Sequence, residues 1–169
     1  MTASRPDYFG NLMSGLKSFD HRDGPEMAGK GNRLGHRLGL KRIGVNFEIT
    51  PPGCRSSHPH AEREEEEFVL VLKGKPDVWI DGELFALDEG DCVAFPSGTG
   101  IAHSFLNNSD EDVHLLIIGE HMKPGNQLYY PLNPERMARF AERDRAWFDA
   151  PKRPLGPHDG HARKGTRKD

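Results

Sequence analysis

Apolar and polar positions begin to alternate at residue 43. Ile43, Val45, Phe47 and Ile49 recur at period two, and all are β-branched or aromatic. That pattern predicts a strand with one face turned to a core. Pro51, Pro52 and Gly53 end it. A second apolar run occupies residues 68–72, preceded by Glu67, which shares its parity with Val69 and Val71. Val78, Trp79 and Ile80 predict a further strand, Asp81 and Gly82 a two-residue hairpin turn, and residues 84–87 the returning strand. Residues 92–95, 102–106 and 113–118 supply three more. Short strands at regular spacing, broken by glycine and proline, predict an all-β protein with a closed antiparallel barrel or jelly roll.

The flanks read differently. Residues 1–38 show neither a helical stripe nor clean alternation, so irregular structure draped over the barrel is expected, with at most one short strand. His21 and His36 fall there and read as surface histidines. Past Gly119 the period changes. Asn133 is placed to cap a helix over residues 134–148, with Pro134 in its first turn. Met137, Phe140, Ala141 and Phe148 lie near one face of it, with Trp147 beside them, and that stripe is expected to pack on the barrel. The last twenty residues are basic and rich in glycine and proline. They predict an extended tail, in which His158 and His161 are too loosely spaced for a metal site. The chain thus divides into an extension (1–38), a barrel (39–120) and a C-terminal segment (121–169).

Composition narrows the function classes. With 23 basic and 26 acidic residues, the 169-residue chain carries a formal charge of −3, so no bulk field draws it to nucleic acid or to a membrane surface. No run approaches the ~18 apolar residues of a membrane helix. The first residues lack a cationic-then-apolar leader pattern. Cys54 and Cys92 are the only cysteines and are expected to be free thiols, which fits a cytoplasmic protein.

The chemistry concentrates in two stretches. Residues 56–74 read SSHPHAEREEEEFVLVLKG, with His58 and His60 two apart and carboxylates at Glu62, Glu64, Glu65, Glu66 and Glu67. On an extended strand, side chains two apart face one way, so His60 and Glu62, or His58 and His60, can aim at one point. Imidazole and carboxylate at one point suit a first-row metal ion. Read alone, the run fits a solvated acidic turn equally well. Residues 90–107, GDCVAFPSGTGIAHSFLN, surround one histidine, His103, with turn signals.

Together these stretches resemble the two motifs of the cupin superfamily. Glu67 is followed by six residues and then Gly74; Gly90 by five and then Pro96; His103 by three and then Asn107. The resemblance covers roughly residues 44–119. It implies a double-stranded β-helix and one divalent ion, manganese, iron, nickel or zinc, held in the barrel by His60, Glu62, Glu67 and His103. In this register Glu62 stands where the family has its second histidine. The alternative register makes His58 a ligand with His60, and Glu64 its carboxylate. The loop before His103 is two residues longer than the family pattern, because Gly100, not Gly98, keeps the gap to His103. The resemblance further implies a small-molecule ligand. The protein is then a mononuclear metalloenzyme of dioxygenase or isomerase type, or a non-catalytic module binding a sugar-like metabolite. Edge strands invite pairing, so a homodimer through a barrel face is expected.

Overall fold

The computed structural model describes residues 4–18, 24–121 and 123–167; His21 lies outside them. In chain order the elements are β1 (Lys17–Ser18), β2 (Lys30–Asn32), α1 (Leu34–Arg37), β3 (Ile43–Thr50), β4 (Ala61–Glu62), β5 (Glu67–Lys73), β6 (Asp77–Ile80), β7 (Glu83–Ala86), β8 (Cys92–Phe95), β9 (His103–Leu106), β10 (Val113–Glu120), β11 (Leu128–Tyr129) and α2 (Pro134–Ala141). One antiparallel sheet runs β1-β2-β3-β10-β5-β8 and faces a second, β7-β6-β9, extended by the short pair β11-β4. This is an all-β jelly roll with a short C-terminal helix. Among the described residues, no helix is long and apolar enough to cross a membrane.

The register of the large sheet decides which side chains enter the barrel, because cross-strand partners share a face. Leu115 of β10 stands between Glu48 of β3 and Val71 of β5, and Ile117 between Asn46 and Val69. Across β5, Glu67 faces Phe95. Val69, Val71, Phe95 and Leu115 join Val78 and Phe105 in the barrel core. Glu67 therefore shares the interior face of the two valines, as its parity predicts.

The period-two set on β3 takes the opposite face. Phe47 and Ile49 are buried, at 1% and 8% exposure, against Leu34 and the half-buried Leu16 of the extension. Their apolar alternation is satisfied by a second, outer core, so the inward positions fall to Asn46 and Glu48. Phe47 and Ile49 thus face a core, as the alternation predicts, but it is this outer one, and Ile43 stays exposed. The extension is also more ordered than its composition predicts, with two short strands, a 3-10 turn at Pro25–Met27 and the helical turn α1 among the described residues. Gly35 explains how α1 docks: a Cβ there would meet the Val45 amide nitrogen at 2.8 Å, so the turn lies directly on the β3 backbone.

The C-terminal segment does the same for the other sheet. Trp79 and Leu106 are fully buried with Ala61, Ala102 and Trp147, and the Trp79 indole donates to the His158 carbonyl at 2.9 Å. The β6–β7 hairpin turns through Asp81 (φ 49°) and Gly82 (φ 91°), the backbone pair of a primed turn. Asn133 caps α2, its side chain accepting from the Arg136 amide at 2.9 Å. The helix spans Pro134–Ala141 rather than running to 148. Asp144 adopts φ 55° and turns the chain, so that Trp147 packs under β6 while Phe148 is left 76% exposed.

Candidate metal centre

His60 and His103 lie opposite each other across a narrow antiparallel bridge. The His60 amide donates to the His103 carbonyl at 3.2 Å, and the His103 amide to the His60 carbonyl at 2.9 Å. Their rings stand 5.1 Å apart. The His60 Nδ1 is 2.9 Å from the His58 carbonyl, and the His103 Nδ1 is 3.3 Å from the Ile101 carbonyl. Each carbonyl takes a proton from Nδ1, which leaves Nε2 as the atom turned to the site. Phe95 stacks on His103 at 3.5 Å between ring centres, and Tyr130 lies over His60 at 5.8 Å, so neither ring can swing freely.

Two carboxylates meet these nitrogens. His103 Nε2 is 3.2 Å from Glu67 Oε1, and His60 Nε2 is 3.8 Å from Glu62 Oε1. Asn126 steadies Glu62, its amide donating to Oε2 at 3.2 Å. Burial pushes the Glu67 carboxyl up, but the hydrogen bond and charge of His103, with the charge of His60, hold it below its ordinary value. Burial, with His103 as neighbour, lowers His60 to about 4, so it is neutral at pH 7. Burial raises Glu62 to about 8, and the nearby charges of Glu65 and Glu67 push in the same direction. The His60–Glu62 contact at neutral pH thus joins a neutral ring to a largely protonated carboxyl.

His58 is turned elsewhere. Its Nδ1 is 3.0 Å from Nη2 of Arg55, a buried guanidinium that also pairs with Glu26 at 2.7 Å and donates to the Gly160 carbonyl at 2.6 Å. The structure therefore brings His60, Glu62, Glu67 and His103 together and sets His58 beside Arg55. Glu64 is exposed. Asn107 is buried as a turn brace, donating to the Thr50 and Glu111 carbonyls at 2.7 Å each.

Pattern reading missed Glu48. It points into the barrel from β3, its Oε2 has no hydrogen-bond partner, and burial, with the charge of Glu67, raises it to about 8. The signal was present in the chain: Asn46 and Glu48 are the polar alternates beside the buried Phe47 and Ile49. Tyr130 and Asn126 were missed because they arrive from a loop with no periodicity.

The donor set, two imidazoles and two carboxyl groups, is of the kind a first-row divalent ion takes. Among the described residues, no three His, Cys, Asp or Glu side chains converge at coordination distance as they stand. The carboxylates instead contact the imidazoles. Glu62 and Glu67 line the inner wall of a cavity of about 320 Å³ at the barrel mouth.

Fold and site define a jelly-roll barrel with a histidine–carboxylate cluster at its mouth. Residues 46–119 match the model of the cupin domain family. A sugar phosphate isomerase of the cupin superfamily from Silicibacter pomeroyi is 30% identical, with TM-score 0.64 over 72% of this chain and 81% of that one. A protein of Acidithiobacillus ferrooxidans, named provisionally as a sugar phosphate isomerase, is 26% identical, with TM-score 0.68 over 74% and 81%. A polyketide synthase, CurC, of Streptomyces cyaneus is 32% identical over 80 residues, 47% of this chain and 48% of that protein. The chain spans about half the length of the curated relatives it matches. It belongs to the cupin superfamily.

Proposed function

We propose that this cupin is a mononuclear metal-dependent enzyme that isomerises a small organic metabolite at the barrel mouth. His60, Glu62, Glu67 and His103 would hold one divalent ion, manganese, iron, nickel or zinc. The observation that carries this reading is the pair of contacts, His103 Nε2 to Glu67 Oε1 at 3.2 Å and His60 Nε2 to Glu62 Oε1 at 3.8 Å, whose two glutamates line one cavity. An ion bound there supplies Lewis acidity toward a ligand oxygen. The chain's own residues do the rest. His60 and His103 present Nε2 because their Nδ1 atoms are held by carbonyls. Phe95 and Tyr130 pack against the imidazoles. Isomerisation is preferred to dioxygenation because the two relatives at 26% and 30% identity are both named for it. The free thiols Cys54 and Cys92 accord with a cytoplasmic location.

A non-catalytic ligand-binding role is the second reading, favoured by the lack of three converging ligands among the described residues. Elemental analysis of the purified chain, followed by incubation with a panel of sugar phosphates in D₂O and proton NMR, separates the two. Isomer formation with deuterium at the shifted carbon supports the enzyme. Ligand-induced stabilisation with no exchange across the panel rejects it in favour of the binding module.

A further inference from the structure

The barrel mouth opens on one side to a wall that the metal reading does not use. Arg33 precedes α1 as its N-terminal cap residue and His36 lies within it, and both line the barrel-mouth cavity. Leu34 between them goes down into the outer core with Phe47, and Gly35 seats the turn on the β3 backbone. Arg33 and His36 are thereby left at the barrel mouth, lining the cavity of about 320 Å³ that also holds Glu62 and Glu67.

The same two residues, with Asn46, also line an adjoining cavity of about 580 Å³. It is lined by Lys17, Arg33 and Arg37, with His36, against a single carboxyl, Glu48. The two cavities share a boundary but differ in sign, acidic toward the histidine cluster and basic toward the extension. The basic half is a built surface. The buried Asn32 donates to the Leu12 and Ser14 carbonyls at 3.0 and 2.8 Å, and Arg37 donates to Asn32 Oδ1 at 2.8 Å. Arg37 is committed to that brace. Neither Arg33 nor His36 forms an ion pair among the described residues. In the acidic half Glu120 is paired with Lys123 at 2.6 Å, while Glu62, Glu65, Glu66 and Glu67 also line it, so an anion is taken on the basic side.

We infer that the metabolite carries an anionic group, a phosphate or a carboxylate, which Arg33 and His36 bind while its oxygen-rich end reaches His60, Glu62, Glu67 and His103. A guanidinium fork matches either oxyanion with two parallel hydrogen bonds, and a neighbouring imidazole adds a donor. The inference rests on the metal-enzyme reading for what lies at the other end of the ligand. The N-terminal extension then has a role beyond covering the sheet, since it carries the selectivity for charged metabolites.

The test uses the full chain, chelator-treated and zinc-loaded, titrated with inorganic phosphate and, separately, with acetate. The readouts are calorimetry and the His36 imidazole signals by NMR. The His36 signals should shift saturably with at least one of the two anions. Arg33→Gln should weaken that anion by about tenfold or more, the loss of a charge-assisted pair, and leave zinc affinity unchanged. His36→Gln should weaken it less. Equal anion affinity in the wild type and the Arg33→Gln/His36→Gln double variant overturns the inference, as does the absence of binding by both anions. A wild type that takes up no zinc but loses anion affinity in Arg33→Gln refutes the metal reading and leaves the anion site standing.

Discussion

Nε2 of His103 lies 3.2 Å from Oε1 of Glu67, joining β9 of one sheet to β5 of the other across the barrel. The two residues are 36 apart in the chain. The contact is possible because Glu67 shares the interior parity of Val69 and Val71, and because Phe95, opposite Glu67 in the ladder, stacks flat on the imidazole. The following expectations test what surrounds that contact.

His103→Ala should remove most of the bound metal, since no other histidine lies near it in its own stretch. For the first stretch, Glu62→Ala should weaken metal affinity strongly and His58→Ala little. Glu62 faces His60 Nε2, whereas His58 is engaged with Arg55 and loss of such an outer partner costs only about 10–100-fold. Metal dissociation constants in the opposite order would exclude Glu62 in favour of the His58 register.

Glu48 gives a pH signature. Its folded pKa, about 8, lies above the ordinary carboxyl value of 4.5. Folding therefore favours the protonated form. That contribution is complete at pH below the unfolded value and is lost as pH rises toward 8. Glu48→Gln, a neutral isostere, should nearly match the wild type near pH 4.5 and exceed it in stability at pH 8 by on the order of 4 kcal/mol. Urea unfolding in the presence of chelator at both pH values measures the difference. A pH-independent difference would show that Glu48 is not the buried acid described.

Arg55→Ala should destabilise the chain by about 3 kcal/mol, because it strands Glu26 and releases the loop that carries His58 and His60. Arg55→Lys should retain part of the charge but lose the fork that reaches Glu26, His58 and Gly160 together. Thermal or urea denaturation of both variants is the measurement; a loss below about 0.5 kcal/mol, the range of ordinary surface changes, would mean that the network is not structural.

The outer face of the large sheet is uncovered beyond the extension, leaving Ile43 at 51% and Phe68 at 38% exposure beside Ile118. We propose that a second copy of the chain covers it. Light scattering should give about twice the 18.9 kDa chain mass, and Phe68→Glu should return the protein to a monomer. A wild-type monomer at micromolar concentration rules the interface out.

Local pattern determined the strands. Period-two runs, the Asp81 and Gly82 turn and the Asn133 cap each depend on residues within a few positions, so the jelly roll and the start of α2 were legible in the chain. The two motif spacings likewise made His60, Glu62, Glu67 and His103 candidates before any coordinates. Only tertiary structure decided the rest. A strand's alternation says that one face is buried but not by what. The extension's Leu34 took Phe47 and Ile49 to an outer core, and that turned Glu48 inward. His58 was removed from the cluster by Arg55, whose partners Glu26 and Gly160 come from opposite ends of the chain. α2 stopped at Ala141 because Trp147 packs against Trp79 and Leu106, far from it in sequence. In each case the competing interaction lies between segments distant along the chain, and its strength depends on burial that no local window contains.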